Sequence, residues 1–181
     1  MKKLAMIGCG GIGRYHLGHF VNFKDIELAG FCDLLIERAE EFVQIAGSGK
    51  AYSDFVKMYD EVKPDLVFIC IPPSTHGYIE FETIRRGIPF FVEKPVALDM
   101  SLANAINDEI TKKNLIPAVG FQCRYDDINV AAKNFIDSNK IVTVAASRVG
   151  GIPEVNWWRI KSLSGGQLVE QTIHQMDILR Y

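Results

Sequence analysis

Through the first two-thirds of the chain, short continuous apolar runs alternate with segments whose apolar positions return at helical spacing. Lys3–Ile7, Glu27–Cys32, Asp65–Ile71 (DLVFICI) and Ile88–Val92 (IPFFV) read as strands. A short third strand is expected at Lys50–Tyr52 and a sixth at Ile116–Phe121. Helices are expected over Gly11–Phe23, Leu35–Ala46, Phe55–Val62, Ser74–Arg86 and Leu102–Lys113, the last capped by Ser101. In the first of these, Ile12, Tyr15, His16 and His19 lie near helical spacing. Strands apolar at nearly every position are buried on both faces, and their alternation with helices argues for an α/β fold with a doubly wound parallel sheet. After about Gly120 the rhythm changes. A polar helix (Asp127–Ser138), a β-rich run (Ile141–Val149), an irregular Trp-bearing stretch (Gly150–Ser164) and an amphipathic helix from about Gly166 follow. One strand and one helix cannot bury a core alone. We therefore expect one domain at residues 1–121 and the incomplete start of an α+β domain at 122–181.

Composition narrows the classes without choosing among them. Hydrophobic content of 48% and charged content of 23% suit a globular protein. A net charge of −2, with basic residues single or paired, gives no reason to expect nucleic acid or an anionic membrane as partner. No apolar stretch approaches the ~20 residues that span a bilayer, and Lys2-Lys3 runs directly into a strand, so a signal peptide is not expected. Cys9, Cys32, Cys70 and Cys123 lack the spacing of a zinc site or a redox pair. No metal site is expected. Free buried thiols suit a reducing, cytoplasmic setting.

Gly8-Cys9-Gly10-Gly11-Ile12-Gly13 fits G-x-G-x-x-G between a strand and a helix, and Asp33 ends the next strand twenty residues past Gly13. Gly8 permits the tight turn, Gly10 lets a pyrophosphate approach the backbone, and Gly13 allows helix and strand to pack closely. Gly11 and Ile12 begin the helix whose N-terminal N–H groups favour phosphate. The pattern is that of a Rossmann dinucleotide site. A carboxylate at Asp33 accepts bonds from ribose hydroxyls and repels a 2′-phosphate, which favours NAD over NADP. Ile71 and Pro72 end the fourth strand and are expected to border the nicotinamide half. His76, just beyond, is either a contact there or a surface residue.

Glu93-Lys94-Pro95 follows the fifth strand, so Lys94 stands at its carboxyl end, where open α/β sheets bind ligands. Glu170 and His174 are four apart, and on one helix they would share a face, with Asp177 on the next turn. By spacing alone this stripe is equally an exposed polar face.

The glycine loop with Asp33, Glu93-Lys94-Pro95, Val119-Gly120-Phe121 leading to Arg124-Tyr125, and the glycine-rich approach to a helix bearing an acid, a His and an Asp resemble the Gfo/Idh/MocA family of oxidoreductases. The resemblance spans essentially the whole chain. It implies an NAD-dependent hydride transfer to or from a sugar, inositol or related polyol. Glu93 and Lys94 would contact the cofactor, and Lys94 the reacting oxygen. His174 would be the general acid/base, with Glu170 orienting it or binding a substrate hydroxyl. Pro95 would follow a cis peptide. Arg124 and Trp158 would line the substrate pocket, although the tryptophans could equally cover core. Family members continue for about as many residues again, so the chain is expected to be truncated; self-association into a homo-oligomer is a further expectation. Two rivals remain: a non-catalytic NAD-binding module or inactive truncated enzyme, and a methyltransferase that would leave Glu93-Lys94-Pro95 without a purpose.

Overall fold

The computed structural model describes residues 1–181. Six strands form one wholly parallel sheet in the order β3-β2-β1-β4-β5-β6. They are β1 (Lys2–Ile7), β2 (Ile26–Cys32), β3 (Lys50–Tyr52), β4 (Leu66–Ile69), β5 (Phe90–Val92) and β6 (Ala118–Val119). The helices between them are α1 (Gly11–Phe20), α2 (Ile36–Ala46), α3 (Phe55–Val62), α4 (Tyr78–Arg85) and α5 (Met100–Lys113). The alternating residues of β1 explain its unbroken apolarity. Leu4 and Met6 enter the core on one side of the sheet with Leu17, Phe31 and Phe42, while Ala5 and Ile7 enter the core on the other with Met58, Val67 and Ile84. Strand order reverses between β1 and β4, so the loops at their carboxyl ends open a crevice at the centre of the sheet.

Local chemistry sets the helix ends. Asp54 caps α3 through the N–H groups of Val56 and Lys57. At α5 the cap is Asp99 rather than Ser101: its carboxylate accepts from Leu102 N–H, and Ser101 donates its hydroxyl to the same oxygen. The expected helix from Ser74 becomes a 3-10 turn, Pro73–Thr75, and α4 starts only at Tyr78. Gly77, at φ +120°, breaks the path between them.

Beyond β6 come α6 (Asp127–Asp137), α7 (Lys161–Ser164), α8 (Gln167–Glu170) and α9 (Ile173–Arg180). Two expectations fail here. Ile141–Val149 forms no strand, and Val142, Val144 and Val149 are exposed. A strand needs a neighbouring strand for its backbone, and none adjoins this run. The helix from Gly166 is broken at Gln171–Thr172 into α8 and α9, so Glu170 and His174 lie on different helices. No helix is long and apolar enough to cross a membrane.

Candidate active site

The glycine loop is shaped by close backbone contacts. Gly8 has φ +89°, and a Cβ there would stand 2.1 Å from the Cys70 carbonyl oxygen; one on Gly13 would stand 2.3 Å from that of Gly8. Gly10 and Gly11 differ: a Cβ on either would meet nothing within 4 Å. No side chain caps α1, and its first turn carries no acid, so the N–H groups of its first residues have no partner within the helix. An open backbone face and an uncapped helix terminus fit the pyrophosphate of a dinucleotide. Ile12, in that first turn, is 45% exposed. Asp33 steadies the loop, accepting from Cys9 N–H at 2.8 Å and Leu35 N–H at 3.0 Å. Each carboxylate oxygen keeps a further lone pair for a ribose hydroxyl.

On the other side of the crevice, β4 runs into Ile71, Pro72 and the 3-10 turn. His76 is buried rather than at the surface. Its Nδ1 lies 2.6 Å from Glu80 Oε1, and Glu80 Oε2 accepts from Gly77 N–H at 2.6 Å. Glu80 is fully buried, and its signal in the sequence is a carboxylate four residues after a histidine, the spacing that brings the two side chains together on one helical face.

The Lys94–Pro95 peptide is cis. Lys94 Nζ donates to the carboxylate of Glu170 at 2.8 Å and to its carbonyl oxygen at 2.9 Å. The Glu93 carboxylate, by contrast, points inward: Oε1 lies 2.7 Å from His16 Nε2 and Oε2 accepts from Lys94 N–H at 3.2 Å. His174 is buried, with Phe121 edge-on at 6.3 Å. Burial, followed by the charges of Lys94 and Arg148, holds its imidazole pKa below the ordinary value. Burial pushes the Glu170 carboxyl upward, against the opposing pull of Lys94.

Arg124 is committed to Asp177: its Nε donates to Oδ2 at 2.7 Å and its Nη2 to Oδ1, with the guanidinium over the Tyr181 ring at 5.1 Å. The side-chain polar atoms that are buried without a partner are His76 Nε2, Trp158 Nε1, Glu170 Oε2, His174 Nδ1 and Gln175 Oε1. All belong to the β4 loop or to the segment that brings Glu170 and His174 toward Lys94. Native proteins leave few buried polar atoms unpaired, so each of these groups calls for a partner such as an ordered water or a ligand.

A parallel sheet with a phosphate-ready glycine loop at its switch point, and a lysine, a carboxylate and a histidine alongside, defines a dinucleotide-binding protein of Rossmann type. Residues 2–121 match the model of the oxidoreductase family with the NAD-binding Rossmann fold. The chain belongs to this family, Gfo/Idh/MocA. It is 31% identical over 184 residues to a scyllo-inositol 2-dehydrogenase (NAD(+)) of Bacillus subtilis, across 99% of this chain and 53% of that protein. The myo-inositol 2-dehydrogenase structure from Lactobacillus plantarum superposes with a TM-score of 0.82 at 26% identity, over 99% of this chain and 55% of that one. The structure of GenD2 from gentamicin A biosynthesis, in complex with NAD, shares the fold with a TM-score of 0.88 at 22% identity, over 99% and 52% of the two chains. The chain thus spans about half the length of the relatives it matches.

Proposed function

We propose that this chain is the nucleotide-binding and proton-transferring part of an NAD-dependent dehydrogenase that oxidises a CH–OH group of an inositol, sugar or related polyol. The observation that carries the reading is the contact of Lys94 with Glu170, with His174 held nearby, at the strand ends that also carry the glycine loop. Bound NAD supplies the hydride acceptor. The glycine loop and α1 N-terminus hold the pyrophosphate, Asp33 takes the ribose hydroxyls, and Ile71 and Pro72 border the nicotinamide. Lys94 directs its ammonium at the reacting hydroxyl oxygen and favours its negative charge. His174 accepts the hydroxyl proton on its imidazole. Glu170 steadies Lys94, and its second oxygen, with Trp158, offers hydrogen-bonding groups to a polyhydroxylated ring. Arg124 acts on substrate through Asp177 and α9.

The inositol dehydrogenases among its relatives support the substrate class. We assign residues 1–121 to nucleotide binding and 122–181 to the start of the substrate domain. Ile128, Phe135 and Val142 are exposed, which supports burial against a second copy of the chain, and four free cysteines support a cytoplasmic setting.

The test is NADH formation against a panel of inositols and sugars, with its pH dependence. As general base, His174 must be neutral, and its pKa lies below the ordinary 6.5. The kcat/KM for oxidation is therefore expected to hold through neutral pH and fall only as pH drops below that value. An acid limb centred at or above it would contradict the assignment of His174. Dinucleotide binding with no turnover on any polyol would favour a binding module or an inactive truncated enzyme.

A further inference from the structure

The Glu93 carboxylate has a role that differs from the cofactor contact expected of it. Only 10% of its side chain is exposed, and a polar group so enclosed needs hydrogen-bond partners. His16 Nε2, at 2.7 Å, is the nearer one; the other bond, from the N–H of Lys94, is longer at 3.2 Å. Gly120, just past β6, leaves room for the same group: a Cβ there would stand 2.7 Å from Glu93 Oε2. His16 is itself held in one orientation. Phe20 stacks on its ring at 6.0 Å, and Phe68 and Phe91 meet it edge-on at 5.6 and 5.4 Å.

We propose that His16 is a positioning residue that fixes Lys94 through Glu93 and so registers the lysine to the nucleotide-binding helix. Helix α1 then does two things. Its first turn faces the pyrophosphate, and its second carries the imidazole that anchors the loop after β5. Without the His16 bond, Glu93 keeps only the longer bond from Lys94 N–H and turns toward solvent. That turn releases the backbone N–H of Lys94, and the reach of Nζ to Glu170 is lost. The inference rests on the proposed role of Lys94 for its consequence in catalysis, but the placement itself is read without cofactor or substrate.

The experiment is peptide-resolved acylation of lysine amines by a succinimidyl ester on the 181-residue chain at neutral pH. Lys94 has 17% side-chain exposure and Lys112 67%, so Lys112 serves as internal standard. His16→Phe keeps a ring among the phenylalanines but removes the donor; Lys94 acylation is expected to rise about ten-fold or more, the weight of one lost hydrogen bond to a charged group. His16→Gln retains an N–H at similar reach and is expected to restore slow acylation. A general loss of packing would speed Lys94 in both variants. Slow acylation of Lys94 in His16→Phe, with Lys112 unchanged, overturns the proposal, as does equal acceleration in His16→Gln. Should His16→Phe fail to fold, His16→Asn, too short to reach Glu93, decides by the same criterion. An absence of polyol oxidation would count against turnover by this chain and leave this result standing.

Discussion

Replacing Gly8 with alanine is expected to destabilise the protein by ~3 kcal/mol or more, combining backbone strain with overpacking. The residue lies at φ +89°, and the new Cβ would stand 2.1 Å from the carbonyl oxygen and 2.6 Å from the carbonyl carbon of Cys70. Neither neighbour is a side chain that can rotate away. Cys70 is tied to β1 by its N–H to the Ile7 carbonyl at 2.7 Å, and Gly8 N–H to the Cys32 carbonyl at 2.8 Å. Relief therefore requires β1, β2 and β4 to separate where their loops form the crevice. Denaturant unfolding checks this through a large drop in midpoint. A variant as stable as the parent would mean that the loop does not pass this close to β4.

Lys94→Ala is expected to lower kcat by at least about 10²–10³-fold, the usual consequence of removing a donor aimed at developing negative charge. NAD affinity should fall far less than kcat, because the pyrophosphate is held on the other side of the crevice and Lys94 is only one of the cofactor contacts. The substitution also removes both bonds to Glu170 and the cation that opposes its upward pKa shift. Glu170 then titrates higher still. Steady-state kinetics and NAD titration on the same preparation separate the two effects. Turnover equal to the parent's would remove Lys94 from the reacting centre.

What the sequence disclosed about this site divides by distance along the chain. The glycine loop, Asp33 and the strand-end position of Lys94 follow from local rules: a tight turn, a helix terminus, an apolar run that stops. The break between α8 and α9 follows from no local rule. Glu170 ends α8, and the carbonyl there is satisfied by Lys94 Nζ, 76 residues earlier in the chain. His16 was legible as one position on a helix face, and its partner Glu93 lies 77 residues on. Arg124 read as a free cation for substrate because Asp177, 53 residues later, gave no sign of facing it. The Ile141–Val149 run shows the converse error. Its residues have strong β-propensity, but propensity reports fit to a pleated surface and cannot supply the neighbouring strand.

The central claim is that the open face of the glycine loop holds NAD. Titration of the 181-residue chain with NADH by calorimetry tests it most directly, with Gly10→Val beside the parent. Gly10 has an extended backbone, φ −84° and ψ −163°, and a Cβ there would meet nothing within 4 Å, so valine should leave the chain folded, with only a small loss of stability at this N-cap position, while covering the face that the pyrophosphate needs. The account predicts saturable one-to-one binding by the parent and none by the variant. A parent that does not bind, or a folded Gly10→Val that binds equally well, would contradict it.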